Sequence, residues 1–271
     1  MKSIQHIKRY LSAFGCLLAI SLSNITLAAD ETPDLTADIG YISIPHLPPG
    51  GDQINPIRYA ALRESATSLG AQGGLAFEAH QLDHSLADLS IFLDQVFNFN
   101  QLLLNHNVLP PVLAQSDNNL NLANNDTLRI ASKTYRIIQQ AKFVTAPPNW
   151  RNYLWMSFDK PTTPDRSLLP TSKPEAEVWD YFLKIGWVNG IKQADAIFTS
   201  NLNQLKRDFN GMVLYRQLLV QKMVSAPFVA KAQLGITGDA TQMRINDQVL
   251  RITAHSQLQT NSNKWQPVLT N

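Results

Sequence analysis

Hydrophobic positions along this chain follow two periods, one helical and one of alternating strands. From Pro56 onward the spacing predicts a long helix, in which Leu82, Leu86, Leu89, Leu93 and Val96 share one face. Pro56 suits a first helical turn, where its missing N–H leaves no bond unmade. Within the same stretch Ala66, Gly70 and Gly74 are spaced by four residues. That spacing makes a groove where another backbone can come close. The other reading is a helix break near residue 70, because an interior glycine costs up to ~1 kcal/mol relative to alanine. A second helical region starts at Ser172-Lys173-Pro174-Glu175, which has the Ser-x-x-Glu spacing of a capping box. It runs through Val178, Phe182 and Ile185, is expected to break or bend at Gly186 to Gly190, and resumes along Ile191, Ala194, Phe198, Leu202, Leu205, Phe209, Met212 and Leu219. Asn210-Gly211 is a candidate second break, and Pro227 ends the region.

Alternation appears twice. Leu128-Arg129-Ile130 and Tyr135-Arg136-Ile137 read as two strands about a turn at Ser132-Lys133. Met243-Arg244-Ile245 and Val249-Leu250-Arg251-Ile252 read as two more about Asn246-Asp247. The two stretches align with Arg, Ile, Arg and Ile coincident. The expectation is therefore an α+β fold, predominantly helical. Its two similar β-hairpins, at about residues 126–144 and 228–253, join into one sheet, with a helical hairpin over 174–224 packed on the apolar face. Coincidence between two ordinary hairpins is the competing reading. Asn-rich residues 117–125 read as a loop, and Pro110-Pro111 forces an extended path.

The amino terminus changes the setting of this fold. Lys2, Lys8 and Arg9 precede an apolar run over residues 11–22, and Thr26-Leu27-Ala28 leads into Ala29-Asp30. These are the three parts of a secretory signal peptide, with cleavage expected after Ala28 and Ala29 as the alternative. The apolar run falls short of the ~20 residues that span a bilayer. The full chain carries 23 basic and 21 acidic residues, net +2. Without residues 1–28 it loses three basic residues and no acid, leaving 20 against 21. A near-neutral protein gives no reason to expect nucleic acid as a partner. Residues 30–55, rich in proline and glycine, read as a flexible linker, followed by a single domain over 56–266.

The only cysteine, Cys16, lies in the apolar run. It is either discarded with the signal or is a lipidation site that becomes the mature terminus. Ala13-Phe14-Gly15 in front of it is a poor lipobox. If Ala28 is the cleavage site, no disulfide can form.

Candidate chemistry is sparse. His80 and His84 stand four apart with Asp83 beside them, a spacing that points two imidazoles the same way and is compatible with a zinc-dependent hydrolase. The alternative is the solvated face of an amphipathic helix. No Gly-x-Ser-x-Gly elbow or P-loop is present. The acids Asp165, Glu175 and Glu177 fit loop and helix-start positions better than a glycosidase pair. Arg129, Arg136, Arg244 and Arg251 suggest a basic sheet face, either solvated or an interface. Trp150, Trp155, Trp179, Trp187 and Trp265 are candidates for core or for partner anchors. No catalytic set and no cofactor site are recognisable, which favours a binding or scaffold role.

Several segments taken in order resemble the DotC family of Dot/Icm-type IV secretion systems. They include Gly70-Ala71-Gln72-Gly73-Gly74, His106-Asn107-Val108-Leu109-Pro110-Pro111, Pro147-Pro148-Asn149-Trp150-Arg151, Gly186-Trp187-Val188-Asn189-Gly190, Asp208-Phe209-Asn210-Gly211 and Leu234-Gly235-Ile236-Thr237-Gly238-Asp239. The likeness runs from about Arg58 to about Trp265. It implies a non-catalytic, cofactor-free component of the outer-membrane core complex in the periplasm. Such a component acts with DotD-like and DotH-like partners and helps place the latter at the outer membrane for effector or DNA export. Relatives of this kind are typically lipid-anchored, and the poor setting of Cys16 departs from that pattern.

Overall fold

The computed structural model describes residues 53–267, apart from Asn125 and the side chain of Ala123. The expected signal segment, its cleavage at Ala28, Cys16 and nearly all of the 30–55 linker lie outside the described residues. The helices are α1 (Pro56–Asp88), α2 (Ser90–Val96), α3 (Arg151–Leu154) and α4 (Lys173–Val220). The strands are β1 (Val108–Leu109), β2 (Val112–Asn124), β3 (Thr127–Gln139), β4 (Lys142–Phe143), β5 (Phe228–Gly238) and β6 (Met243–Ala254). The fold is α+β, about half helical, with small antiparallel sheets. No helix among the described residues is long and apolar enough to cross a membrane. The chain divides into two compact units, one of residues up to Ser90 with Trp155–Thr199, the other of Ile91–Leu154 with Ser200–Asn271. The division falls inside α4.

In the first unit α1 starts where Asn55 caps it: the side-chain oxygen accepts from the Ile57 N–H at 2.9 Å, and Pro56 follows in the first turn. The helix does not break near residue 70. Nor does α4 break at Gly186 to Gly190, or at Asn210-Gly211; it is one helix of 48 residues, not a helical hairpin. The reason is close contact between backbones. A Cβ on Gly70 would meet the Leu183 carbonyl and lie 2.9 Å from Trp187 N, and one on Gly74 would meet the Trp187 carbonyl. From the other side, a Cβ on Gly186 would meet the Thr67 carbonyl, and one on Gly190 the Ala71 carbonyl. Each helix thus supplies two glycines four residues apart, and the two pairs face one another. The weak helix propensity of four glycines, roughly 1 kcal/mol each, is offset by packing that no larger residue permits.

Around this seam Leu62, Ala66 and Trp179 form a core with Leu69, Leu169, Phe182 and Leu183 packed on it. Arg58 clasps the start of α4: its Nε and Nη2 donate to the two Glu175 carboxylate oxygens at 3.1 and 3.0 Å, and it also donates to the Ser167 and Leu169 carbonyls. The capping box at Ser172 forms in altered shape. Ser172 Oγ accepts from the Glu175 N–H at 3.5 Å, while the carboxylate accepts from Thr171 N rather than Ser172 N.

In the second unit, α4 from Ser200 onward buries Leu202, Leu205, Met212, Tyr215 and Leu218. Phe97 and Phe99 both meet the Phe209 ring edge-on, with centroids 5.4 and 5.2 Å apart. Trp150 is buried and donates its indole N–H to Asp94 at 2.7 Å, and Arg151 pairs with the same carboxylate. Leu113, Tyr215, Leu218 and Val224 form the core beneath the strands.

The sheet arrangement corrects the sequence reading in three ways. First, residues 117–124 are not a loop but the outer part of β2, paired through Leu120↔Ile130 and Leu122↔Leu128. Second, Ser132-Lys133 and Asn246-Asp247 are not turns. Lys133 is a regular partner of Asp117 inside β3, whose hairpin turn lies instead after Asn124. Asn246 has a positive φ of 57° and sits at an irregularity within β6, and the β5–β6 hairpin turns between Gly238 and Met243. Turn-type residues were read as chain reversals where long pairing holds them in strands. Third, the hairpins share no ladder. The strands form three separate two-stranded sheets, β1–β4, β2–β3 and β5–β6. The matching Arg-x-x-x-x-x-x-Arg spacing reflects one strand in each hairpin, β3 and β6, and not a repeat that pairs.

Candidate functional site

Each long hairpin changes character along its length. On β3, Tyr135 and Ile137 pack against the Leu113–Tyr215–Leu218 core. Leu128 and Ile130 stand at even positions of the same strand, so the two-residue period turns them to the opposite face. Their cross-strand partners Leu122 and Leu120 share that face. These four side chains are between 52 and 72 % exposed. The apolar side of the hairpin is thus inward at its base and outward near its turn. The second hairpin behaves likewise. Val229, Leu250 and Ile252 are half-buried, whereas Ile236, Met243 and Ile245 near the turn are 64–70 % exposed. Contiguous exposed aliphatic side chains on two-stranded ribbons with open edges mark places where another chain can dock.

The four arginines do not make the single basic face read from the sequence. Arg129 and Arg136 are seven residues apart on one strand, and an odd separation puts them on opposite faces.

The first unit holds an open cleft of about 710 Å³ beside α1. Phe77, Phe158 and Trp187 line it, each partly exposed, and the Phe77 and Trp187 rings lie 5.4 Å apart. His80 reaches this cleft, while His84 is exposed; their rings lie 6.3 Å apart. Asp83 turns to the cleft as well and accepts from the Met156 N–H at 3.2 Å. Burial pushes its carboxyl above the usual range, partly countered by that N–H and by His80. Among the described residues no three His, Cys, Asp or Glu side chains stand together to hold a metal ion. Of the acids, Asp165 accepts from the Ser167 N–H at 2.8 Å, which holds its carboxyl below the usual range. Glu175 is engaged by Arg58 and Thr171, which bring its carboxyl down to about 2.

Sequence reasoning named His80 and, among the tryptophans, Trp187, but neither Phe77 nor Phe158 beside them. The one available signal was that Phe77 falls off the Leu82–Leu86 stripe. Of the tryptophans, Trp150 and Trp179 are core, while Trp155, Trp187 and Trp265 are partly exposed. Tyr153 donates to the buried Asp208 at 3.3 Å, and burial together with that carboxylate pushes its phenol up to about 12.

Comparison with known families places the chain in a class that its packing and hairpins do not by themselves define, that of type IV secretory system proteins. Residues 56–267 match the family described as type IV secretory system, conjugal DNA-protein transfer, and the chain belongs to that family, TraI. No curated protein matches the chain.

Proposed function

We propose that the protein is a non-catalytic structural component of the outer-membrane core complex of its secretion system, in the manner of the DotC family that its sequence resembles. In this reading it works in the periplasm with DotD-like and DotH-like partners. It helps the DotH-like protein reach the outer membrane, so that DNA or effector proteins are exported. Its own attachment to that membrane comes through partners or through a lipid on Cys16. Membership of a type IV secretory family supports the setting. The observation that carries the docking role is the outward quartet Leu120, Leu122, Leu128 and Ile130, aliphatic surface in a position that contributes nothing to the core beneath the hairpin.

The test replaces Leu120, Leu122, Leu128 and Ile130 together by threonine, which keeps strand propensity and removes the apolar face. The variant is expected to accumulate at the normal level. Outer-membrane recovery of the DotH-like partner, measured by fractionation, is expected to fall at least tenfold, with DNA transfer falling alongside. Normal placement of the partner and normal transfer would refute the docking role.

A further inference from the structure

The second unit holds an open pocket of about 510 Å³, lined by the last turns of α4, the start of β5 and the loop before β1. Leu104, Leu219 and Val229 supply aliphatic lining, and Asn105, His106 and Arg216 supply polar lining. Each of these three polar side chains can donate hydrogen bonds, and no carboxylate lines the pocket. The sequence around it is equally one-sided. No acid occurs between Asp94 and Asp117, or between Asp208 and Asp239, the two stretches that build the pocket. The second stretch carries Arg216, Lys222 and Lys231. Arg216 therefore has no opposite charge in either stretch, whereas Arg58, Arg151 and Arg207 each pair with a carboxylate.

The backbone beside the pocket is strained. His106 and Asn107 take φ of 64° and 54° in succession, a left-handed region that a Cβ makes costly. Strain of this kind persists where it fixes a side chain for use, and His106 is a side chain fixed at the pocket. The end of α4, which carries the negative pole of the helix, is largely covered: the Gln217, Leu218 and Leu219 carbonyls accept from the N–H groups of Gln221, Met223 and Lys222. β5, to which Val229 belongs, has β6 as its sole strand neighbour among the described residues. Its other edge leaves backbone groups open to an added strand. Pro227, just before it, is of a type that strands confine to edges and ends.

We propose that this pocket receives an extended acidic segment of another protein, one carboxylate of which is bound by Arg216 with Asn105 and His106. The residues flanking that carboxylate lay aliphatic side chains on Leu104, Leu219 and Val229. A guanidinium suits the task because its planar fork offers a carboxylate two N–H groups at once. The charge of Arg216 selects the acid, and the aliphatic lining selects a protein segment over a bare ion. The surface is separate from the outward quartet of β2–β3. Its test involves no secretion partner, so it stands or falls apart from the proposed function.

The test passes a pool of capped pentapeptides over the immobilised full chain. Each has glutamate or glutamine at its centre and valine, threonine or leucine on either side, so the two halves of the pool differ in charge and not in shape. Glutamate peptides are expected to be retained roughly tenfold over their glutamine counterparts. Arg216→Gln should erase that preference. Arg216→Lys, which keeps the charge, should retain part of it and so show that the surface is still folded. Lys192→Gln, in the first unit, should leave it unchanged. Equal retention by the parent, or a preference that survives Arg216→Gln, would overturn the proposal. Inorganic phosphate that displaces the glutamate peptides as well as free glutamate peptide does would overturn the protein source and leave an ion site. Binding to vesicles of phosphatidylglycerol and phosphatidylethanolamine in equal parts, lost in Arg216→Gln and unaccompanied by a glutamate preference, would assign the pocket to a lipid surface instead.

Discussion

The glycine seam of the first unit and the hairpins of the second use the same residue types to opposite ends. Gly70, Gly74, Gly186 and Gly190 sit in regular helix, with backbone atoms of the neighbouring helix where a Cβ would be. Gly235, in β5, has φ +78° and open space around it. The aliphatic residues differ in the same way. Leu62 and Trp179 are buried beside the seam, whereas Leu122 and Ile130 face outward from a ribbon. The seam commits its small and apolar residues to the fold of the unit. The hairpins hold theirs at the surface, in a form suited to another chain. The contrast teaches that glycine or aliphatic spacing carries meaning only together with what lies opposite.

The strongest way to break the contrast is Gly190→Ala. On propensity alone the change stabilises a helix by roughly 1 kcal/mol. Here the new methyl would collide with the Ala71 carbonyl and lie 2.6 Å from Leu75 N, both backbone atoms with nowhere to retreat. The helices must part, and a loss of about 4 kcal/mol or more is expected, read as a lower denaturant midpoint. Gly235→Ala is the reference, since it meets no atom and bears only the left-handed backbone, a cost of about 1–2 kcal/mol. Equal losses at the two positions would mean the seam is not the determinant described.

Legibility from sequence follows the same line. Local chemistry could be read directly: Pro56 as a helix start, Ser172 and Glu175 as a cap, and β-type alternation on both sides of residue 132. Whatever depends on a distant partner could not. Gly186 and Gly190 look like breakers until Thr67 and Ala71 stand against them. Ser132-Lys133 has turn composition, but eleven paired positions along β2 and β3 outweigh it. Leu128 and Ile130 were visible as alternation, whereas Leu120 and Leu122 fell in the Asn-rich stretch read as a loop, and nothing local says that the inward face of β3 is set by Tyr135 and Ile137. The cleft draws on α1, on residues 156–161 and on Trp187, and no motif links them.

A smaller effect sharpens the account of how the seam is locked. Arg58→Ala removes the bidentate contact to Glu175 and the two carbonyl contacts. The pair is largely shielded, with side chains 25 and 12 % exposed, but solvent screening still applies, and about 1 kcal/mol is the expected loss. Glu175 has its carboxyl lowered from 4.5 to about 2, first by the Arg58 hydrogen bonds and then by the Thr171 N–H. A lowered carboxyl stabilises the folded state above its unfolded value. The contribution is therefore full above about pH 4.5 and is lost as pH falls towards 2. Glu175→Gln should flatten the acid side of the stability profile in that window. An unchanged profile would mean that the clasp does not act through this charge.

The smallest expected effect on stability is the most telling about the hairpin. Ile130 and Ile137 occupy the same strand, β3, seven residues apart and therefore on opposite faces. Threonine keeps the branched β-carbon and its strand preference at either site. At Ile137 the new hydroxyl enters the edge of the core formed with Leu113 and Tyr215, and about 1–2 kcal/mol should be lost. At Ile130 the side chain is 72 % exposed, so the free energy of unfolding should stay within about 0.5 kcal/mol of the parent. If Ile130→Thr destabilises the isolated protein as much as Ile137→Thr does, the outward face is part of the fold's own core. Its aliphatic residues would then need no partner to explain them.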